Sequence, residues 1–303
     1  MTDQSPLVIW RFVDGKPGHE NQTAGLIQAL SEQVAVNVFD VQPESFLQAL
    51  KHAVKKSFPL QNRLRPALVM GAGHATHLSV FATKRSFDCP SIVLMKPSLP
   101  AGLFDLCIVP EHDGVRSGRS VITTTGVLNR IIPAKQLEQD YGIILIGGPS
   151  AHYEWHDEAM LERIQLILEK SDTQWVMTTS RRTPVSFIEK VKVLSCDNLS
   201  IHIAEHGDAD WLPQQLQRAG KVWITEDSVS MVYEALTAGG DCGVLPVQRK
   251  QSSRVSAGID KLIEDRQLTS FDMWMNKAGL LPNRLALNES ARVAKQVYER
   301  LLK

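Results

Sequence analysis

Runs of consecutive apolar residues, bounded by glycine, proline and polar side chains, alternate along this chain with stretches in which apolar positions recur every three or four residues. The first pattern suits a strand buried on both faces and the second an amphipathic helix, so their alternation predicts an α/β protein built on parallel sheets. Strands are expected at Leu7–Val13, Ala35–Val41, Ala67–Met70, Ser91–Met95, Leu106–Val109 and Val121–Thr125, with helices near Asn21–Gln33, Glu44–Lys56 and Thr76–Arg85. After the polar stretch Pro133–Asp140, which reads as a linker, the rhythm restarts. Further strands are expected at Gly142–Ile146, Gln174–Thr178, Ser200–Ala204, Val222–Thr225 and Gly243–Pro246, and helices near Asp157–Lys170, Pro184–Lys190, Trp211–Ala219 and Ser228–Ala238. The pattern predicts two Rossmann-like domains, residues 1–135 and 136–303, facing across a cleft, with a closing helix at Glu289–Leu302 that packs back.

Composition narrows the class. A chain of 303 residues, 43% of them hydrophobic, has material for two cores. Its 33 Lys and Arg balance 33 Asp and Glu, so bulk charge gives no argument for nucleic acid. The N-terminus lacks a basic region and Arg11 interrupts its apolar run, which reads as a first strand and not as a signal peptide. No stretch approaches the ~20 apolar residues of a membrane span. Cys89, Cys107, Cys196 and Cys242 are scattered with no C-x-x-C, which points to free thiols and a cytoplasmic setting. His74 and His77 stand three apart with nothing to complete a ligand set, so no metal is expected; His52, His156 and His206 read as surface or packing histidines.

The candidate chemistry lies where predicted strands end. Strand one runs into Asp14-Gly15-Lys16-Pro17-Gly18-His19-Glu20-Asn21-Gln22 and strand three into Gly71-Ala72-Gly73-His74. The fifth ends in Pro110-Glu111-His112-Asp113-Gly114 and the sixth in Thr123-Thr124-Thr125-Gly126. In the second series the loops are Gly147-Gly148-Pro149-Ser150, Thr179-Ser180-Arg181-Arg182-Thr183-Pro184 and Thr225-Glu226-Asp227-Ser228. The full G-x-G-x-x-G and the Lys-Ser/Thr of a P-loop are both lacking, which argues against an NAD enzyme and an ATPase. Arg181 and Arg182 before a Pro-started helix suit a phosphate clamp. A helix opening at Asp227 or Ser228 offers unpaired amides and a partial positive charge to a phosphate. Glu234, four residues beyond Ser230 on the same face, suits a pair of sugar hydroxyls. The alternative is a capped core helix with Met231, Val232 and Leu236 packed inward. Asp208-Ala209-Asp210 matches the D-x-D of metal-dependent sugar transferases in form, but directly before the helical pattern at Trp211 it reads as a cap.

Together, the loops at Asp14–Gln22, Pro110–Asp113, Gly147–Ser150, Thr179–Pro184 and Thr225–Met231 resemble the mitochondrial-fission "elongated mitochondria" family and its bacterial relatives, over roughly Val8–Val247. The resemblance implies a GT-B-like fold and, for bacterial members, a glycosyltransferase acting on cell-envelope sugars. Similarity to the transferase that makes lipid II implies that Gly147, Gly148 and Ser150 hold the nucleotide with Ser228, Ser230 and Glu234; Pro149 removes one amide from that loop.

The expected reaction moves a sugar from a nucleotide diphosphate, with UDP the expected carrier, to a sugar or lipid-linked acceptor. Donor contacts are assigned to Gly147, Gly148, Ser150, Ser180, Arg181, Arg182, Asp227, Ser228, Ser230, Met231 and Glu234, with backbone around Ile203–Asp208 reading the base. Acceptor contacts are assigned to Gly15, Lys16, Gly18, Gln22, Gly71, Gly73 and His74. His19 is the first candidate base, with Asp14 or Glu20 orienting or replacing it and His112 or Asp113 as a second choice. No cofactor is expected. A nucleotide-sugar epimerase and a non-catalytic adaptor are the competing readings. Lys51, Lys55, Lys56, Arg63 and Arg65, around Phe58, Leu60 and Leu64, suggest either a solvated helix face with apolar core anchors or peripheral contact with the inner membrane surface.

Overall fold

A computed structural model describes residues 5–303 apart from 195, 204–209, 278 and 285–286, with backbone alone at 255 and 277. The chain divides into two compact units, Met1–Arg130 with Asn288–Lys303, and Ile131–Leu287.

In the first unit β1 (Leu7–Phe12), α1 (Pro17–Ser31), β2 (Val36–Val41), α2 (Phe46–Lys55), β3 (Leu68–Ala72), α3 (His74–Phe87), β4 (Ser91–Leu94), β5 (Leu106–Pro110) and β6 (Val121–Thr124) follow one another. The strands form one parallel sheet in the order β2-β1-β3-β4-β5-β6. β3, β4 and β5 are buried along their whole length, as continuous apolar runs between two helical layers should be. Ile9, Met70, Ile92 and Ile108 face one core; Trp10, Phe12, Val69 and Val93 face the other.

The second unit contains β7 (Glu138–Leu145), α4 (Asp157–Glu169), β8 (Gln174–Thr178), α5 (Val185–Lys192), β9 (Leu199–His202), α6 (Trp211–Leu216), β10 (Ala219–Thr225), α7 (Val229–Ala238), β11 (Asp241–Leu245), α8 (Arg254–Glu264), β12 (Thr269–Ser270) and α9 (Phe271–Lys277). Its parallel sheet runs β12-β11-β10-β7-β8-β9, the doubly wound Rossmann order. The last helix, α10 (Glu289–Val297), returns to the first unit.

Three expectations need correction. The polar stretch before Gly142 is not all linker: β7 begins at Glu138, which pairs with Ala219 and binds Arg218 through two hydrogen bonds of 2.8 and 3.0 Å. Those first residues look like a linker because they run past the buried part of the sheet and stay exposed. The boundary lies at 130/131 and the second unit is not the contiguous 136–303, because Val293, Ala294 and Val297 of α10 join Leu26 and Leu30 of α1 in one core. Burying the two valines alone is worth about 3–6 kcal/mol. Ser290 also donates to the Asn129 carbonyl at 2.7 Å, and Glu289 accepts the Thr125 N–H at 2.9 Å. Finally, Pro184 stands at the N-cap of α5 instead of its first turn.

Candidate functional site

Ligands of open parallel sheets sit beyond the carboxyl ends of the strands, where the winding direction reverses. In the second unit that point lies between β7 and β10, and in the first between β1 and β3. Both coincide with polar loops singled out in the sequence.

Beyond β7 and β10, Gly147 and Gly148 lie against the turn that starts α7. A Cβ on Gly147 would sit 2.2 Å from an Asp227 carboxylate oxygen, and one on Gly148 would sit 2.1 Å from the Arg182 carbonyl oxygen. The two glycines are therefore required by close packing. Their amides are engaged within the protein: Gly147 N–H donates to Thr225 Oγ1 at 2.8 Å and Gly148 N–H to Asp227 Oδ2 at 3.0 Å. In this arrangement the loop does not present those two amides as a diphosphate cradle. Arg182 donates from Nη2 to Asp227 Oδ2 at 2.7 Å and from Nη1 to the Gly148 carbonyl at 2.9 Å, so its guanidinium braces the loop. Thr183, which the motif reading passed over, ties the β8 loop to β7 by donating to the Gly147 carbonyl at 2.6 Å. Ser180 lies in the same turn, with its N–H bonded to Thr183 Oγ1 at 2.9 Å, while Arg181 is exposed. Ser150 closes its own turn through Tyr153, at 3.1 Å between backbone N and O.

Helix α7 starts at Val229. Ser228 occupies the N-cap without a side-chain hydrogen bond to the helix, so the expected cap is not made. The next amides, on Val229, Ser230 and Met231, head a helix of ten residues. Val232 and Leu236 pack inward as the core alternative anticipates, Ser230 and Met231 are half-buried, and Glu234 is buried two turns in. Asp227 would place negative charge just ahead of this helix, and the Arg182 pairing offsets it.

The adjoining residue, Glu226, heads a network that spacing in the sequence could not reveal. Its carboxylate accepts Val247 N–H at 3.0 Å and the Arg249 fork at 2.7 and 3.1 Å, and Arg249 also pairs with Asp260. The hydrogen bond to Asp260 is the main cause that raises the Arg249 pKa, and burial pushes the nearby Tyr153 hydroxyl up to about 12. A cavity of about 470 Å³ opens beside this network, with Trp155, Met160, Glu226, Arg249 and Phe271 in its walls. None of Gly147, Arg182, Ser228, Ser230 or Glu234 lines it.

In the first unit the β1 and β3 loops converge on His19. Its Nδ1 lies 2.9 Å from Asp14 Oδ2, and the two side chains are only 18% and 5% exposed. An ionised carboxylate only accepts, which assigns the proton to Nδ1 and leaves the Nε2 lone pair available. Gly73 supports the ring closely: its φ is +78°, and a Cβ there would lie 2.3 Å from the imidazole. Gly15, Lys16 and Gly18 are exposed around the start of α1, Gln22 is buried beneath it, Gly71 is buried in β3, and His74 is exposed at the start of α3. Glu20 stands one residue beyond His19, whereas Asp14 makes the orienting contact. His112 and Asp113 lie in the short 3-10 turn that follows β5, a strand three spacings, about 14 Å, from β1.

His77, which the sequence offered only as half of an incomplete ligand pair, is buried in α3. Ser98 N–H donates to its Nδ1 at 3.1 Å, which puts the proton on Nε2. Burial, then the neighbouring His74 and His19, lowers its pKa to about 4. The four cysteines are free, and burial raises the Cys89 and Cys107 thiols to about 11. Among the described residues no cluster of three or more His, Cys, Asp or Glu could hold a metal, and no helix is long and apolar enough to cross a membrane. Residues 204–209, with His206, Asp208 and most of the base-reading segment, lie outside the described residues; Asp210 takes the N-cap of α6 without a side-chain cap bond.

Comparison with solved structures agrees with this architecture. The chain matches the UDP-GlcNAc 2-epimerase of Methanocaldococcus jannaschii with a TM-score of 0.60 at 12% identity, covering 97% of this chain and 100% of that one. It matches UGT2 of Phytolacca americana, complexed with UDP-2-fluoro-glucose and pterostilbene, with a TM-score of 0.50 at 9% identity, covering 98% and 90%. At these identities the likeness is one of fold, and it defines the class: an α/β protein of GT-B type. By sequence the chain is 21% identical over 318 residues to an uncharacterized protein of Rickettsia prowazekii (strain Madrid E), covering 85% of this chain and 88% of that protein. The signature of the mitochondrial fission ELM1 family matches residues 17–301, and the chain belongs to that family.

Proposed function

We propose that the protein is a glycosyltransferase that moves a sugar from a UDP-linked donor, bound on the second unit, to a sugar or lipid-linked acceptor of the cell envelope, bound on the first. The acceptor oxygen forms a bond to the anomeric carbon as the carbon–oxygen bond to the diphosphate breaks, and the acceptor proton passes to His19 Nε2. Asp14 holds the imidazole in the tautomer this requires. The leaving diphosphate gathers negative charge, which the amides at the start of α7 and the exposed Arg181 would stabilise. Glu234 would take the ribose hydroxyls. The observation that carries the reading is the α7 start: an N-cap with no side-chain bond, at the switch point of a Rossmann-ordered sheet.

A Ser230→Glu variant tests this directly. A carboxylate in the first turn gains from the helix dipole what it loses to repulsion from Glu234 four residues on, and it repels a diphosphate, so melting temperature should stay nearly constant while UDP affinity falls by at least tenfold. A UDP-induced thermal shift of equal size in both proteins, or no shift with any nucleoside diphosphate, refutes the site. Incubation with UDP-sugars alone separates the second reading, to which the epimerase likeness lends support, because an epimerase interconverts its sugar without an acceptor.

A further inference from the structure

Among the described residues, six of the ten exposed large hydrophobic side chains fall within a single stretch of nineteen residues: Phe46, Leu47, Leu50, Val54, Leu60 and Leu64. Four of them are on α2. At 100° per residue, Phe46, Leu50, Val54 and Leu47 span an arc of about 100° on its surface. Ala49 and Ala53, on the neighbouring arc, are buried, and fix which side faces the protein. Hydroxyls of α3 pin both ends of the segment: Ser79 accepts the Glu44 N–H and Ser86 the Phe58 N–H, each at 2.9 Å. The apolar arc is thus held outward by a rigid support, and Leu47 is 76% exposed. Phe58 belongs to the core-anchor alternative, buried against Trp10 and Phe12.

Between Ser45 and Arg65 every acidic or basic side chain of the Asp, Glu, Lys and Arg types is a cation. Lys51 and Lys55 follow the apolar arc around the helix, and Lys56, Arg63 and Arg65 continue the segment. From Ser45 to Phe87 the sequence contains no Asp or Glu, in a chain whose net charge is zero. A second copy of the chain is a poor occupant, because a two-fold contact would set this uniformly cationic segment against itself. An apolar stripe bordered by lysines, with no acid to pair them, matches an anionic surface with an apolar interior.

We infer that this face docks on an anionic lipid bilayer, with α2 lying in the headgroup layer, its apolar arc inward and Lys51 and Lys55 among the lipid phosphates. The inference does not depend on the glycosyltransferase reading. Each cation near such a surface contributes about fivefold to partitioning, and insertion of Leu47 and Val54 together about a hundredfold or more.

The test is cosedimentation of the full-length protein with vesicles of phosphatidylglycerol and phosphatidylcholine, or of phosphatidylcholine alone, at low and high salt. The expected result is binding to the anionic vesicles that weakens with salt, drops about 25-fold or more in K51E/K55E and about 100-fold in L47D/V54D. All four residues are in the half-buried or exposed surface of α2, so both variants should melt and bind UDP as the parent does. The inference is overturned if the parent ignores anionic vesicles, if both variants bind them equally well, or if sedimentation shows a dimer that both variants abolish. A UDP response that survives in the variants, or fails in the parent, reports on the donor site separately.

Discussion

The Arg182–Asp227 pair allows an unequal outcome to be worked out for two substitutions at one contact. Asp227 has a side chain wholly out of solvent, accepting Gly148 N–H and the Arg182 guanidinium, while its Oδ1 is buried without a partner among the described residues. Arg182 is 40% exposed and also bonds the carbonyls of Gly148 and Pro149. Removing one partner of a buried pair costs about 3–5 kcal/mol, because the other charge is left uncompensated. In Arg182→Ala the carboxylate keeps one amide donor and water reaches the vacated space, which lowers the cost to about 2–3 kcal/mol. In Asp227→Ala the Gly148 N–H is orphaned, worth about 1–3 kcal/mol, but the carboxylate no longer has to be desolvated and Arg182 retains solvent; the net loss is about 1 kcal/mol. The more exposed residue is thus the more damaging one to remove. The double variant should fall near Asp227→Ala alone instead of at the sum, since the stranded charge is gone. Urea unfolding followed by tryptophan fluorescence suits the measurement, because Trp155, Trp175, Trp211, Trp223 and Trp274 all lie in the second unit and Trp10 alone in the first. A smaller loss for Arg182→Ala than for Asp227→Ala, or losses that add, refutes this reasoning.

Two further outcomes follow from the first unit. His77 is held near pKa 4 in the folded protein against an ordinary value of 6.5, so between these pH values the unfolded chain binds the extra proton. Its contribution is fully present above pH 6.5 and is lost as pH falls towards 4, by about 3 kcal/mol over the window, and His77→Gln should flatten that part of the stability–pH curve. Gly73→Ala should cost about 1–3 kcal/mol for a backbone conformation with φ of +78°, and the new methyl must also displace the His19 ring. Imidazole NMR should then show the His19–Asp14 hydrogen bond weakened, whereas an unchanged His19 signal would contradict the close contact.

Much of this architecture was written locally. Continuous apolar runs such as Leu68–Ala72 and Leu106–Pro110 can be satisfied only between two layers of helix, and an unbroken alternation of such runs with amphipathic stretches leaves few options besides parallel sheets. Turn chemistry likewise marked the loops after β1, β3, β7, β8 and β10, because glycines, hydroxyls and helix starts are short-range signals. The His19–Asp14 contact was within reach for the same reason: the two residues are five apart on either side of one helix start.

What tertiary structure decided was which of these loops share a place and what their polar groups are spent on. Gly147 and Gly148 read as a phosphate cradle in isolation, but Thr225 and Asp227, nearly eighty residues away in the chain, take their amides. Arg182 read as a clamp until Asp227 met it, and Glu226 gained Arg249 and Asp260 only through the neighbouring positions of β10 and β11. The affiliation of α10 was equally hidden, since an amphipathic helix declares that it has an apolar face but not which core will receive it. Periodicity and turn propensity are properties of neighbours in sequence; hydrogen-bond partners and shared cores belong to neighbours in space, and only folding brings those together.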